Sequence, residues 1–183
     1  MRLIGLAGWS GSGKTTLVAA LVPLLIARGR TVSTVKHAHH SFDLDTPGKD
    51  SHVHREAGAR EVLITSARRW ALMHELRGAP EPPLRELVDH LSPVDLVLVE
   101  GFKREAHPKI EIWRAAVGKP VLHPHDPAIV AIAADPPLPD APIPSVALGD
   151  IEAVADLVER HALAPDAIAW GALAPEFPPE LSP

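Results

Sequence analysis

The sequence predicts an α/β protein whose open, mostly parallel sheet is covered by helices on both faces. Segments with strand character alternate with segments of helical periodicity along the chain, which is typical of such sheets. With 183 residues, of which 46% are hydrophobic, the chain has enough apolar side chains for one domain with a buried core. Its longest apolar stretch, residues 17–26, is about ten residues long and contains Pro23, so it is too short to span a bilayer.

The first three elements follow one another directly. Residues 2–7 form an apolar run rich in Leu and Ile, which predicts a buried strand. Residues 14–28 have apolar side chains at helical spacing and stop at Gly29, and Pro23 predicts a kink or a weakened last turn. Residues 31–36 are mostly β-branched and predict the second strand.

The rest of the chain continues the alternation. Residues 37–51 form a polar loop, and a loop of this length in a compact domain is usually functional or mobile. Residues 94–99 give the strongest strand signal, and Asp150 is placed to cap a helix that runs to His161. The other predicted elements are a short helix over residues 51–58 with Ser51 as its N-cap, strands over 61–66 and 69–76, a helix over 82–91, an edge strand over 109–113, and strands over 128–134 and 145–148.

Composition excludes several classes of function. The net charge of −5 argues against a broad nucleic-acid-binding surface, and the absence of cysteine excludes disulfides, Cys-zinc sites and thiol catalysis. The amino terminus lacks a signal-peptide pattern, so we expect a cytoplasmic protein. We expect residues 1–163 to form one domain and residues 164–183 to form a Pro-rich tail that is flexible or loosely docked.

The strongest motif lies between the first predicted strand and the first predicted helix. Residues 8–15 read GWSGSGKT and match the Walker A spacing G-x-x-x-x-G-K-S/T. Glycine lets backbone N–H groups around Gly11, Ser12 and Gly13 converge on phosphate, while Lys14 adds a positive charge. The Thr15 hydroxyl is a Mg²⁺ ligand in this geometry. The motif therefore predicts nucleoside triphosphate and magnesium binding in a three-layer P-loop NTPase fold.

Three carboxylates are candidates for metal or water contacts. Glu100 ends the apolar strand over residues 94–99, and ligands of open α/β sheets lie outside the carboxyl ends of strands. We expect it in the outer shell of the metal or orienting a water molecule, and we interpret Asp95 as a strand-start residue. Asp45 and Asp50, in the polar loop, are alternative candidates to complete the magnesium shell or position the attacking water, and sequence alone does not choose between them.

Histidines gather in two places, which raises the question of a zinc or nickel site. None of their spacings is a strong zinc signature, so a solvated or hydrogen-bonded histidine loop is the favoured interpretation. The histidines concerned are His37, His39, His40, His52 and His54, and then His123 and His125.

Five motifs in a fixed order give the chain a family resemblance. They are residues 8–16, K-H-x-H-H at 36–40, P-G-K-D-S at 47–51, R-E-A-G-A at 55–59 and V-E-G-F-K at 99–103. In this combination the chain resembles the molybdopterin-guanine dinucleotide biosynthesis protein B family from residue 1 to about 162. That family is similar to GTPases such as the hydrogenase and urease nickel-insertion proteins. The resemblance implies GTP and Mg²⁺ binding, slow hydrolysis, a homodimer, and an adapter role beside the guanylyltransferase that attaches GMP to molybdopterin.

The resemblance also assigns roles by position. The N-K-x-D signature by which many GTPases select guanine is absent, and its nearest analogue is Asp135 at the end of an apolar strand. A carboxylate there would accept the guanine N1–H and N2–H donors, although Asp135 is equally suited to a turn before Pro136. The resemblance assigns phosphate and magnesium binding to Gly11, Gly13, Lys14, Thr15 and Thr16, and places Asp45, Asp50 and Glu100 at the acidic positions.

Two other functions use the same loop. A small-molecule kinase needs a mobile lid with arginines that clamp the transferred phosphoryl group. The chain has Arg68, Arg69 and Arg104 but no arginine-rich helical lid. A nickel or zinc metallochaperone GTPase is favoured by the histidines, but the chain lacks cysteine and a terminal His tract.

Overall fold

A computed structural model of the chain describes residues 1–38 and 42–171. The chain divides into two compact units, one formed by Met1–His37 with the chain from Leu84 onward, the other by Ala38–Pro83. In chain order, the elements are β1 (Arg2–Ala7), α1 (Lys14–Ala27), β2 (Val32–Lys36), α2 (Asp50–Glu56), β3 (Glu61–Thr65), β4 (Trp70–His74), α3 (Leu84–Asp89), β5 (Leu96–Glu100), β6 (Lys109–Arg114), β7 (Ile129–Asp135), β8 (Ser145–Ala147) and α4 (Ile151–His161), with 3₁₀ turns at Ala115–Val117 and Pro165–Ala167.

The larger unit is built on a six-stranded sheet with the order β2-β5-β1-β6-β7-β8. Every neighbouring pair in it is parallel. The prediction of an open parallel sheet is therefore confirmed. The carboxyl ends of all six strands lie at one edge, so the segments that follow β1, β5, β6 and β7 meet there.

Two apolar layers cover the two faces of this sheet. Alternate residues of β1 point to opposite faces: Ile4 and Leu6 pack with α1 and α4, whereas Leu3 packs with α3. Helices on both sides make the predicted three-layer arrangement. The residues that join α1 and α4 to the sheet include Leu17, Leu21, Leu25, Val154 and Val158, and those on the α3 side include Leu84, Val88, Val97 and Val99.

The prediction that residues 109–113 form an edge strand is wrong, because β6 lies between β1 and β7. Its alternation of polar and apolar residues suggested one face in water. Lys109 and Glu111 are instead fully buried, and each has polar partners. The Lys109 ammonium lies 3.0 Å from Asp126 Oδ2, and the Glu111 carboxylate accepts hydrogen bonds from the backbone N–H groups of Leu122 and His123.

The segment after α4 returns to the sheet. Leu163 forms an isolated antiparallel bridge with Leu3 of β1, and Ile168 is buried in the cluster on the α3 side. The indole N–H of Trp170 donates to the carbonyl of Pro165. Ile168 and Trp170 of the predicted tail therefore pack into the larger unit, and residues 172–183 lie outside the described residues.

The smaller unit holds α2 and an antiparallel hairpin, β3–β4, in which Leu63 pairs with Leu72. Ser51 was predicted to cap the helix, and this was wrong. The helix begins one residue earlier, at Asp50, and its N-cap, Lys49, makes no side-chain cap. The guanidinium of Arg55 on α2 contacts Asp43 at 3.0 Å and Asp45 at 3.1 Å, which fixes the chain before the helix.

Candidate nucleotide-binding site

The loop between β1 and α1 requires glycine at three positions. Gly8, Gly11 and Gly13 have φ angles of 153°, 80° and 95°. A Cβ at Gly8 would lie 2.4 Å from the carbonyl oxygen of Ile112 on β6, so no other residue fits between the two strands. Gly13 has a left-handed conformation as the N-cap of α1, which turns the backbone N–H groups of the first helical turn toward the loop.

Lys14, the first residue of α1, lies across this loop. Its ammonium donates hydrogen bonds to the carbonyls of Gly8 at 3.0 Å and Trp9 at 2.9 Å. Burial lowers the pKa of Lys14, and the positive charges of Lys103 and Lys36 act in the same direction, while Glu100 opposes them. A polyanion bound in the loop would replace the carbonyl partners and offset the repulsion between these cations.

Glu100 and Thr15 meet beside the loop. The hydroxyl of Thr15 donates to Glu100 Oε1 at 3.0 Å. β5 places Glu100 there because it runs beside β1, with Glu100 in register with Leu6 on one side and Lys36 on the other. The ammonium of Lys36 lies 3.7 Å from the same carboxylate. A hydroxyl and a carboxylate oxygen are hard ligands of the type that Mg²⁺ prefers.

A cavity of about 350 Å³ unites most of the residues that the sequence predicted for the site. Its lining brings the glycine-rich loop and Lys14 together with the Thr15 hydroxyl and the Glu100 carboxylate. This arrangement suits an anion and a divalent cation side by side. The residues around the cavity are Ser10, Gly11, Gly13, Lys14, Thr15, Thr16 and Glu100. Ser12 is also in the loop, and its side chain is buried.

Asp135 is the last residue of β7, two strands away from β1 at the same carboxyl edge. Its side chain is exposed, and its backbone pairs in register with Arg114 of β6. A carboxylate at this position is free to meet a ligand that extends along the edge of the sheet from the loop. Its role toward guanine stays a prediction.

The two aspartates of the polar loop lie in the smaller unit. The Asp45 carboxylate is almost completely buried and bonded to Arg55, and this pairing raises the pKa of the arginine. Asp50 is the first residue of α2 and is exposed. Asp45 thus has an internal partner that already uses its charge, whereas Asp50 has its carboxylate in solvent. That either aspartate contacts a bound nucleotide stays a prediction.

Two of the sequence motifs meet in space beside Glu100. Gly101 has a φ angle of 96°, and a Cβ on it would lie 2.6 Å from the Cβ of His37. The His37 and Phe102 rings are 4.9 Å apart. The close approach of His37, after β2, and Gly101, after β5, therefore explains why the V-E-G-F-K motif has a glycine at this position.

Sequence reasoning missed three basic residues around the loop. In the sequence Lys36 and Lys103 are only members of two motifs, yet in the structure both lie close enough to lower the pKa of Lys14. Arg114, at the end of β6, lies beside Gly13. Nothing in the sequence joins Arg114 to the loop, because only the pairing of β1 with β6 brings them together.

The histidines do not form a metal centre in the part of the chain that the structure describes. Residues 1–38 and 42–171 contain no group of three or more His, Cys, Asp or Glu side chains that are positioned to hold a metal ion. His123 contacts Glu111 through Nδ1 at 3.3 Å. His39 and His40 lie outside the described residues. Within the same described ranges, no helix is long and apolar enough to cross a membrane.

The parallel sheet, the glycine-rich loop from its interior strand β1 to α1, and the carboxylate at the end of the neighbouring strand define a protein of the P-loop NTPase fold class. Family comparison makes this more specific. The model of the family described as MobB, molybdopterin guanine dinucleotide synthesis protein B, matches residues 3–135. The chain belongs to this family.

Relatives and solved structures agree with this assignment. The chain is 42% identical over 159 residues to the molybdopterin-guanine dinucleotide biosynthesis adapter protein of Escherichia coli (strain K12), covering 85% of this chain and 90% of that protein. It is 44% identical over 142 residues to the adapter protein of the same description from Haemophilus influenzae, covering 74% and 76%. The crystal structure of Bacillus subtilis MobB superposes with a TM-score of 0.67 at 24% identity, covering 88% of this chain and 98% of that one, and shows the same fold.

Proposed function

We propose that this protein binds GTP with Mg²⁺ at the loop between β1 and α1, hydrolyses it slowly, and acts as an adapter in molybdopterin guanine dinucleotide biosynthesis. The observation that carries the proposal is the loop itself, which lines a cavity together with Lys14 and the Thr15–Glu100 pair. The adapter role is supported by the curated relatives, whose descriptions give that role. We also propose a cytoplasmic location, since GTP is available there and the chain has no cysteine that would require an oxidising compartment.

The triphosphate would bind along the start of α1. In this proposal the backbone N–H groups of Gly11, Ser12 and Gly13 hold the β-phosphate, Lys14 neutralises the β- and γ-phosphates, and Thr16 adds a further phosphate contact. The N-terminus of α1 adds its favourable dipole.

The Thr15 hydroxyl would be a ligand of magnesium when the nucleotide is bound. Glu100 already accepts a hydrogen bond from that hydroxyl, so we assign it to the outer shell of the metal or to the attacking water. Asp50 is the further candidate for the metal shell and Asp45 for positioning water. Magnesium would supply charge neutralisation on the phosphates, whereas these protein groups would orient the water and hold the metal.

Calorimetry with purine nucleotides tests the central proposal. Wild-type protein with Mg²⁺ should give a saturable heat with GTP and a weaker one with ATP, because the Asp135 carboxylate favours the N–H donors of guanine. Asp135→Asn should bind the two nucleotides more equally. Lys14→Ala should lose most triphosphate affinity while keeping its far-ultraviolet circular dichroism. An absence of saturable heat with any purine triphosphate would refute the nucleotide assignment.

A reconstituted reaction tests the adapter role. The guanylyltransferase that joins GMP to molybdopterin is assayed alone, with wild-type protein, and with Lys14→Ala. We expect more dinucleotide product with the wild type than with the variant. Equal yields in all three reactions would oppose the adapter role. GTP turnover that rises on adding a small phosphoryl acceptor would favour a kinase instead, and tight stoichiometric zinc or nickel binding after chelation would favour a metallochaperone.

We also propose that the protein is a homodimer, on the evidence of the β3–β4 hairpin. One face of this hairpin carries Leu63, Trp70 and Leu72, which are 60%, 64% and 47% exposed. Adjacent apolar side chains of this size are uncommon on the surface of a monomer. Light scattering should give the mass of a dimer for the wild type and of a monomer for Leu63→Lys/Leu72→Lys. Val53→Lys, at an exposed apolar residue of α2, is the control and should stay dimeric.

A further inference from the structure

The side chain of Arg114 lies against the start of α1. An ideal Cβ on Gly13 would be 3.5 Å from both Nε and an Nη atom of Arg114. These are ordinary van der Waals distances, so the guanidinium packs directly against Gly13. The guanidinium is therefore next to the residue from which the phosphate loop enters the helix.

Strand register places Arg114 on the nucleotide side of the sheet. Ile110 and Ile112 of β6 pack with α1 and α4, and Arg114 continues their alternation on that face. On β7, Ala131 and Ala133 pack on the same face, and Asp135 continues that series in register with Arg114. The order across the carboxyl edge is thus the phosphate loop, then Arg114, then Asp135. Neighbouring strands are about 4.8 Å apart, so β1 and β7 are separated by about 10 Å, the scale of a nucleotide.

Within the residues that the structure describes, the charge of Arg114 has no protein counterion. Among the described residues it forms no ion pair, and its Nε is buried without a hydrogen-bond acceptor. Arg2, Arg28, Arg30, Arg55, Arg77 and Arg85, in contrast, have carbonyl or carboxylate partners. An unpaired guanidinium beside the positive N-terminus of a helix is unfavourable. A bound anion would accept hydrogen bonds from the guanidinium and would also interact favourably with the helix N-terminus.

We propose that Arg114 is a further nucleotide-binding residue and holds the α-phosphate of the bound guanine nucleotide. This inference rests on the proposed function, since it takes Lys14 for the β- and γ-phosphates and Asp135 for the base. The part of the nucleotide between these two is the α-phosphate with its ribose. Arginine suits the position because its planar fork donates two parallel hydrogen bonds to phosphate oxygens.

Titration of wild-type protein, Arg114→Gln and Arg114→Lys with GTP·Mg²⁺ and GDP·Mg²⁺ tests the inference. Arg114→Gln should weaken both nucleotides by about tenfold or more, and by similar factors, because both carry the α-phosphate. Arg114→Lys keeps the positive charge and the aliphatic stem and should lose less affinity, again equally for the two nucleotides. The ratio of GTP to ATP affinity should not change. Arg160→Gln, at an exposed arginine of α4, is the matched control and should bind as the wild type does.

The outcomes separate this inference from the proposed function. If the wild type binds neither nucleotide, both fail together. If the wild type binds and Arg114→Gln binds equally well, only the role of Arg114 fails. A loss for GTP that greatly exceeds the loss for GDP would put Arg114 at the γ-phosphate and overturn the α-phosphate assignment. Should Arg114→Gln have a lower melting temperature, Arg114→Lys decides. A wild-type melting temperature with weaker binding of both nucleotides supports the contact, whereas wild-type affinity in that variant would overturn the two-hydrogen-bond contact of the guanidinium with the α-phosphate.

Discussion

At the scale of single residues, a variant of Glu100 can distinguish between two roles of this carboxylate, holding the metal and orienting the attacking water. Its carboxylate accepts a hydrogen bond from the Thr15 hydroxyl and has the Lys36 ammonium nearby, so it is held in place in the lining of the cavity. Glu100→Gln keeps the shape and an accepting oxygen but removes the negative charge. We expect GTP hydrolysis to fall by about 100-fold while GTP affinity changes less than threefold, since water orientation matters only in the hydrolytic step.

Single-turnover hydrolysis and calorimetry measure the two quantities for Glu100→Gln. The control is Glu86→Gln on α3, which leaves the cavity untouched. Equal losses of affinity and hydrolysis would contradict a role in orienting water and would indicate that Glu100 retains the metal.

His107 is a second residue with a measurable signature. It is completely buried, both ring nitrogens lack partners among the described residues, and burial lowers its pKa to about 3, with a smaller contribution from Lys109. The unfolded chain takes up a proton near the ordinary histidine pKa of about 6.5, whereas the folded protein does not. Stability due to the neutral ring is therefore complete above about pH 6.5 and is lost as the pH falls toward 3.

Replacement of His107 tests this proton linkage. Between about pH 6 and pH 5, His107→Gln should reduce the slope of unfolding free energy against pH by up to about 1.4 kcal/mol per pH unit. His90→Gln, at an exposed histidine, should leave the slope unchanged. Urea unfolding at each pH gives the slope, and identical slopes for the wild type and His107→Gln would contradict the depressed pKa.

At the scale of elements, the sequence predicts a strand or helix correctly where neighbouring residues carry the signal. β1 and α4 have the predicted bounds, and the Asp150 carboxylate accepts a hydrogen bond from the backbone N–H of Ala153, as an N-cap should. The glycine-rich loop between β1 and α1 could be predicted because its glycines, Lys14 and Thr15 are contiguous in the sequence. The position of β6 in the sheet was not predictable, because the sequence does not distinguish a buried lysine that has an acidic partner, such as Lys109, from a lysine in solvent. The proximity of Arg114 to Gly13 was not predictable, because the two residues are distant in sequence and come together only through the pairing of β1 with β6.

The cap of α4 gives a stability prediction at this scale. Asp150→Ala removes the acceptor for Ala153 N–H and should lower the unfolding free energy by about 1 kcal/mol. Asp140→Ala, at an exposed loop aspartate, is the control. Thermal unfolding by circular dichroism measures both variants. If the two variants unfold together with the wild type, the cap contributes no net stability.

At the scale of the whole molecule, the larger unit places the candidate nucleotide groups on rigid elements. Glycines of the loop, Glu100, Arg114 and Asp135 all lie next to or at strand ends of one parallel sheet. The strands that carry them, β1, β5, β6 and β7, are mostly buried. The polar loop and the β3–β4 hairpin belong to the other compact unit. We therefore expect the larger unit to supply most of the nucleotide site, with Asp45 and Asp50 as further candidates from the smaller unit, and we expect the hairpin of the smaller unit to supply a surface for assembly.

Ligand-linked stability tests that division. A nucleotide that binds only the folded protein stabilises it by about 2.7 kcal/mol at 100 times its dissociation constant, which for a chain of this length raises the melting temperature by about 5–10 °C. We expect this shift with GTP·Mg²⁺ in the wild type and in the hairpin variant Leu63→Lys/Leu72→Lys, but not in Lys14→Ala. The hairpin variant keeps the whole nucleotide site, so its response separates binding from assembly. An equal shift in Lys14→Ala would contradict binding at the loop, and loss of the shift in the hairpin variant would mean that the site is complete only in the dimer.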